Sequence, residues 1–297
     1  MAGMRTAIFA PPYLDYADPR VHVELAQIAE ETGWDGYFVW DHVALGAELP
    51  VGEAFVTLSA VAMATERIRI GTMITPIARR RPWQLAKEIT TLDHLCGGRL
   101  TLGIGLGGPP DLDFENFGDS PSFKVRAEQT DEGLELLQLL LGDAPVQFKG
   151  KHHQVHAPPL RPKAVQSPRI PIWIAGFWPN TKPFQRAARW DGCFPTQAPV
   201  DFQAATEGDI FDWQQMWLPS SAYREMTEFF AKERKGAEPF ELVATGNTFD
   251  HDLAAASAKL KEYRKAGATW WLEWVSGTPG NLEKTRELIR RGPPSSE

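Results

Sequence analysis

The sequence predicts an α/β fold, a (β/α)8 TIM barrel with an inserted β-hairpin and a lid-like loop. Three observations lead there. Short apolar runs alternate with amphipathic stretches from one end of the chain to the other. The runs are apolar almost throughout, as in parallel strands covered on both faces. The 297 residues are 43% hydrophobic, which suits one barrel of about 250 residues plus insertions. Residues 1–297 therefore read as a single domain, with an open doubly wound sheet as the alternative arrangement of the same units.

The elements follow in order. Thr6–Pro11 (TAIFAP) is the first strand. Val21–Thr32 is a helix with Val21, Leu25, Ile28 and Ala29 on one face, stopped by Gly33. Gly36–Val43 (GYFVWDHV) is the second strand. Phe55–Arg67 is a helix with Leu58, Val61 and Ala62 inward. Ile68–Thr75 is the third strand. Trp83–Leu95 is a helix with Leu85, Ile89 and Leu92 at helical spacing, ended by Gly97-Gly98. Leu100–Leu106 is the fourth strand and Val125–Leu141 a leucine-rich helix. Ile68–Gly108 is thus a βαβ unit, and both its strands end in residues suited to holding a planar ligand. In such barrels ligands sit at those strand ends.

Val146–Leu160 (VQFKGKHHQVHAPPL) breaks the rhythm. Its Lys149-Gly150 turn between β-prone runs predicts a hairpin outside the barrel. Pro171–Phe177 (PIWIAGF) is the fifth strand, Phe184–Trp190 a short helix and Gly192–Thr196 the sixth strand. Ala198–Ser221 is long, aromatic and irregular, and carries Trp213 and Trp217. Tyr223–Lys235 is a helix, Phe240–Asn247 (FELVATGN) the seventh strand and Leu253–Ala266 a helix. Thr269–Val275 (TWWLEWV) is the eighth strand and Leu282–Arg290 the closing helix. The tail RGPPSSE is expected to fray.

Composition excludes several classes. The net charge is −7 and no basic cluster exceeds Arg79-Arg80-Arg81, which argues against nucleic acid. The N-terminus lacks the apolar core and cleavage site of a signal peptide. No apolar stretch is long enough to span a membrane. With only Cys96 and Cys193 there is no disulfide framework, and the expected compartment is the cytoplasm. The 11 Trp and 16 Phe suit a core and an aromatic-lined cavity.

Several residues could carry chemistry. Asp41-His42 ends the second strand, either as a proton-transfer pair or as a polar cap of the junction. Thr72-Met73-Ile74-Thr75 ends the third strand, where the hydroxyls either meet a ligand or serve as ordinary strand-end residues. Gly105, Gly107 and Gly108 let backbone approach a flat ring. No helix starts directly after them, which rejects a dinucleotide fingerprint. Gly176, Phe177, Trp178, Asn180 and Thr181 connect the fifth strand to its helix, as an anion site or as plain capping. His152, His153 and His156 lack carboxylate or cysteine partners at ligand spacing and read as hairpin residues, so no metal site is assigned. No nucleophilic Ser-His-Asp order stands out.

With these pieces the chain resembles the luciferase-like monooxygenase family, the flavin and deazaflavin barrels. The matching segments are GYFVWDHV, IRIGTMITP with RPWQLAKEITTLDHLCGGRLTLGIGLG, AEQTDEGLELL, FKGKHHQV, and PRIPIWIAG with RAARWDG. They cover roughly residues 5 to 195; the remainder matches in its βα rhythm. The resemblance implies reduced FMN or the deazaflavin coenzyme F-420 across the strand ends. It also implies a non-prolyl cis peptide at Met73–Ile74, with Thr72 and Thr75 flanking the ring. Asp41 and His42 would lie near its reactive edge. Gly105 to Gly108 would lie along ring or tail, and Gly176 to Thr181 would hold the phosphate. The activity implied first is oxygenation of a small organic substrate by reduced FMN and oxygen. The second is deazaflavin hydride transfer, and the third a non-catalytic flavin-binding protein. A separate flavin reductase, a homodimer and a mobile lid at residues 197–221 are also implied. The sugar-phosphate dehydrogenases of the family carry Glu and Trp where this chain has Gly108 and roughly Gly46, so sugar-phosphate oxidation is not expected.

Overall fold

The computed structural model describes residues 3–46, 48–198, 213–236 and 238–296. Most of the lid-like segment and the side chain of Trp213 lie outside the described residues. Eight parallel strands close a barrel: β1 (Arg5–Phe9), β2 (Gly36–Val39), β3 (Arg69–Pro76), β4 (Leu100–Gly105), β7 (Ile172–Trp178), β8 (Gly192–Gln197), β9 (Glu241–Gly246) and β10 (Trp270–Trp274). β5 (Val146–Lys149) and β6 (Gln154–Ala157) form the antiparallel hairpin outside it. Glu132 of α5 pins that hairpin by accepting the backbone N–H groups of Lys151, His152 and His153, while Glu128 meets the ring of His152. The helices are α1 (Pro19–Glu31), α2 (Ala54–Ala64), α3 (Pro82–Leu95), α4 (Pro110–Asp113), α5 (Phe123–Leu141), α6 (Thr181–Ala187), α7 (Ser220–Glu233), α8 (Leu253–Lys265) and α9 (Leu282–Arg290).

Helix starts are set by caps that lie outside the periodic apolar face. Asp18 accepts from the N–H of Arg20 and Pro19 opens α1. Ser122 caps α5 and Asp252 caps α8 in the same way. This is why α1 and α5 begin earlier than periodicity predicts; α7 also starts early, at Ser220 directly after Pro219 and without a side-chain cap. The short helix expected at Phe184–Trp190 runs from Thr181 to Ala187 instead, because Pro183 fits a first turn, where no N–H is required. β2 ends at Val39 rather than Val43, since Asp41 and His42 turn away to partners on other loops.

The core has two layers. Inside the barrel Phe9, Phe38, Met73, Trp173, Phe194, Trp270 and Trp274 pack together. Outside, aliphatic residues of strands and helices meet, among them Leu25, Leu58, Ile70, Leu85, Leu102, Leu137 and Leu260. The C-terminal tail does not fray as expected. Ser296 is buried, its hydroxyl donating to the Met4 carbonyl at 3.3 Å, while Arg264 donates to its carbonyl at 2.8 Å.

One outward strand residue is a carboxylate. Glu273 of β10 is fully buried and accepts from Trp271 Nε1 at 2.7 Å, from the Thr248 hydroxyl at 2.8 Å and from the Thr248 N–H. Burial raises its pKa to about 7 against these bonds. The folded protein therefore binds this proton more tightly than the unfolded chain, and the stabilisation it gives at low pH is lost as pH rises from about 4.5 to about 7. Glu273→Gln is expected to flatten the melting temperature between pH 5 and 8 and to raise it by a few degrees at pH 8. Thermal unfolding of both proteins across that range checks this, and an unchanged slope would remove Glu273 as its source.

Candidate active site

The C-terminal strand ends enclose a cavity of about 540 Å³, inside the range of about 300–1,000 Å³ usual for ligand pockets. Its aromatic wall comes from β1, β8 and β10. Phe9 stands edge-on to Trp274 with centroids 5.1 Å apart and to Phe194 at 6.0 Å. Trp40 adds a third ring 5.6 Å from Trp274. Met216 and Trp217, from the far side of the lid-like segment, also line the cavity.

The facing wall comes from β3 and β4. The Met73–Ile74 peptide is cis, and the pairing of β3 with β4 shifts register between Thr72 and Thr75. Both Met73 and Ile74 line the cavity. A Cβ on Gly105 would lie 2.9 Å from the Ile74 side chain, so glycine there is what lets Ile74 pack directly against the β4 backbone. Gly107 has φ +72°, and a Cβ there would lie 2.7 Å from Pro76. Gly108 continues this wall. Arg126 of α5 braces the turn from behind, donating to the carbonyls of Leu106 at 3.1 Å and Gly107 at 3.0 Å. Its guanidinium lies 4.2 Å from the Phe114 ring and 4.6 Å from that of Phe123. Burial lowers its pKa to about 10 against the charge of Asp113.

Thr72 and Thr75 do not flank this space. Both are fully buried; Thr75 donates its hydroxyl to that of Thr72 at 3.0 Å, and Thr72 donates to the Gly103 carbonyl at 3.4 Å. Their hydroxyls satisfy the strand at its register shift, and neither residue lines the cavity. From the β7 connection, Gly176, Phe177 and Asn180 reach the cavity, but Trp178 and Thr181 do not. Trp178 faces outward, packing 4.9 Å from Phe184 and donating Nε1 to Glu225 at 3.2 Å. Thr181 is the first residue of α6.

Asp41 and His42 do not act as one pair. Both line the cavity, but each carboxylate and ring has its own partner. Asp41 accepts from Arg79 Nη2 at 2.9 Å and from Arg80 Nε at 2.9 Å, with all three side chains largely buried. The carboxylate against His42 belongs to Asp113 of α4, which accepts from Nδ1 at 2.6 Å and from the Val43 N–H at 2.9 Å. Burial acts to raise the Asp113 pKa, but the charge and hydrogen bond of His42, with Arg79 and the Val43 N–H, outweigh it and hold it below the ordinary value. Asp113 is therefore an anion that fixes the Nδ1–H tautomer and leaves Nε2 for a ligand. Sequence reading passed over Asp113 because it sits in an acidic loop with no periodicity. Its signal was the single helical turn PDLD that follows two prolines. The inward aromatics Phe9, Trp40, Phe194 and Trp274 were legible only as strand residues.

The family model described as luciferase-like monooxygenase matches residues 3–290. A putative coenzyme F420-dependent oxidoreductase of Mycobacterium tuberculosis is 29% identical over 88% of this chain and 72% of its own length. An F420-dependent glucose-6-phosphate dehydrogenase of Rhodococcus erythropolis is 35% identical over 54% of this chain and 48% of its own. A 4-hydroxyprotoasukamycin monooxygenase of Streptomyces nodosus subsp. asukaensis is 31% identical over 52% of this chain and 40% of its own. The chain thus spans about half the length of the last two or less. Among solved structures, an F420-dependent secondary alcohol dehydrogenase superposes over 100% of both chains with a TM-score of 0.74 at 18% identity, a likeness of fold.

The Asp41 cluster carries a stability prediction. Asp41→Ala leaves the buried Arg79 without its anion and Arg80 with only Glu53 and Glu88, and is expected to cost about 3–5 kcal/mol. Chemical denaturation reads this directly, and a loss under about 1 kcal/mol would show that the arginines are held by other groups.

Proposed function

Because the chain belongs to the luciferase-like monooxygenase family, we propose that it is a flavin- or deazaflavin-dependent oxidoreductase whose cofactor ring lies in the barrel-mouth cavity. The wall formed by Ile74, Gly105 and Ala175 is suited to a flat ring, and the Gly107-Gly108 backbone to its polar edge or tail. Gly176, Phe177 and Asn180 are the residues suited to the phosphate end. When bound, the cofactor supplies two-electron chemistry, as hydride transfer with the deazaflavin F420 or as oxygen activation with reduced FMN.

The reading the geometry supports best is deazaflavin-dependent hydride transfer, and the observation that carries it is the His42–Asp113 pair. A hydride leaving a carbinol carbon requires that the hydroxyl lose its proton. Nε2 of His42 accepts that proton, and Asp113 holds the resulting imidazolium. Reduction of a carbonyl returns the same proton. The Mycobacterium tuberculosis relative, matched over 88% of this chain, carries a putative F420-dependent name, which agrees. The second reading, oxygenation with reduced FMN, is supported by the aromatic wall, which excludes water. It calls for a separate flavin reductase as partner.

A homodimer fits one surface. α2 (AFVTLSAVAMA) is apolar on nearly every side, and Val56 and Met63, two turns apart, are 62% and 70% exposed. A second copy seated there is disrupted by Met63→Asp. Light scattering is expected to show a dimer for the parent and a monomer for the variant; a monomeric parent overturns this assignment.

Titration of the protein with F420 and with FMN, each oxidised and reduced, tests the cofactor. Saturable F420 uptake and oxygen-independent turnover are expected; turnover that requires oxygen and FMN would establish the second reading. His42→Ala is expected to lower turnover by about 100-fold or more with an unchanged circular dichroism spectrum. Asp113→Asn should lower it in the same direction. Unchanged turnover in the His42 variant would remove the pair from the mechanism.

A further inference from the structure

The cavity wall is unusual in what it omits. Among the described lining residues there is no Lys or Arg, and the ionisable side chains present are Asp41 and His42. Both are already engaged, Asp41 by Arg79 and Arg80 and His42 by Asp113. The cations beside Asp41 and behind the turn after β4 are committed elsewhere. Arg79 and Arg80 lie on Asp41, and the Arg126 Nη1 is turned to the carbonyls of Leu106 and Gly107. Residues 199–212, outside the described residues, contain no Lys, Arg or His in their sequence.

Polar groups on the wall are equally few. The Thr245 hydroxyl donates to the Leu272 carbonyl at 3.1 Å and so is already used. With Asn180 at the cofactor's phosphate end, His42 and Thr196 remain, enough to bind one or two oxygen atoms. Across the mouth from β4, the surface consists of Phe9, Trp40, Phe194, Trp217 and Trp274. Burying a phosphate or carboxylate there without a cation carries a heavy desolvation cost, and a sugar would leave most of its hydroxyls unpaired.

We propose that the substrate is an uncharged, mainly apolar alcohol or ketone bearing its oxygen toward His42, and that phosphorylated and carboxylate substrates are rejected. This rests on the oxidoreductase reading above and adds the substrate class. It separates this chain from the glucose-6-phosphate dehydrogenases to which half of it is similar.

Intrinsic tryptophan fluorescence reports binding directly, because Trp40, Trp217 and Trp274 line the cavity. The probes are decan-2-one, decan-2-ol, decanoate and glucose 6-phosphate, titrated into the protein with and without bound cofactor. Cofactor uptake is followed separately by visible absorbance. Decan-2-one and decan-2-ol are expected to saturate at least 100-fold tighter than decanoate, with no saturation by glucose 6-phosphate. Equal or tighter binding of either anion overturns the proposal, as does saturation by none of the four. Absence of cofactor uptake instead sinks the oxidoreductase reading and leaves the comparison of probes standing. Thr196→Lys places a cation on the wall and is expected to tighten decanoate at least tenfold. A folded Thr196→Lys protein that binds decanoate no better shows that the probes sit elsewhere and counts against the proposal.

Discussion

The barrel mouth is organised around one buried carboxylate. Asp41 receives Arg79 and Arg80 together, and so ties the loop after β2 to the turn after β3. The next residue along the chain, His42, pairs with Asp113 in the loop after β4. Three consecutive strand ends are thus locked by the Asp41–arginine cluster and the His42–Asp113 pair, which share no atoms. A charge cluster this buried adds little net stability over an apolar one, but it admits a single arrangement. Alternatives would strand a guanidinium or a carboxylate away from water.

The same logic explains the wall beside it. A ring-shaped ligand needs a flat wall, and flatness is made by leaving side chains out. Gly105 and Gly107 do this at β4, where Ile74 and Pro76 already fill the space a Cβ would need. Arg126 then holds the bare backbone in place from behind, with its charge buffered by two phenylalanine rings and by Asp113.

The barrel was legible in the sequence because eight apolar runs and their helices repeat one period, and boundaries moved where local contacts overrode periodicity, as at Val39, beyond which Asp41 and His42 turn to ion-pair partners, and at Thr181, where Pro183 sits in the first turn. The site was legible by strand-end position, which located His42, Ile74 and Gly105 in the cavity. Position does not encode direction. Thr72 and Thr75 share a strand end with Met73 and Ile74, yet the register shift turns their hydroxyls into the sheet. Trp178 and Phe177 are neighbours on a strand and necessarily face opposite ways. Asp113 is separated from His42 by 71 residues, so their pairing exists only once β2 and β4 are brought to the same mouth.

The two halves of the mouth are built from different stretches of chain. The His42–Asp113 pair and the glycine-lined wall come from β2, β3 and β4, and most of the aromatic wall from β1, β8 and β10 with the segment at Met216-Trp217. Replacing a ring on the second half reshapes what the cavity admits while removing no partner of the ion pairs on the first. Descendants of such a barrel can therefore change the ligand they admit while inheriting the first half intact. Selection acts on the two halves as separable traits.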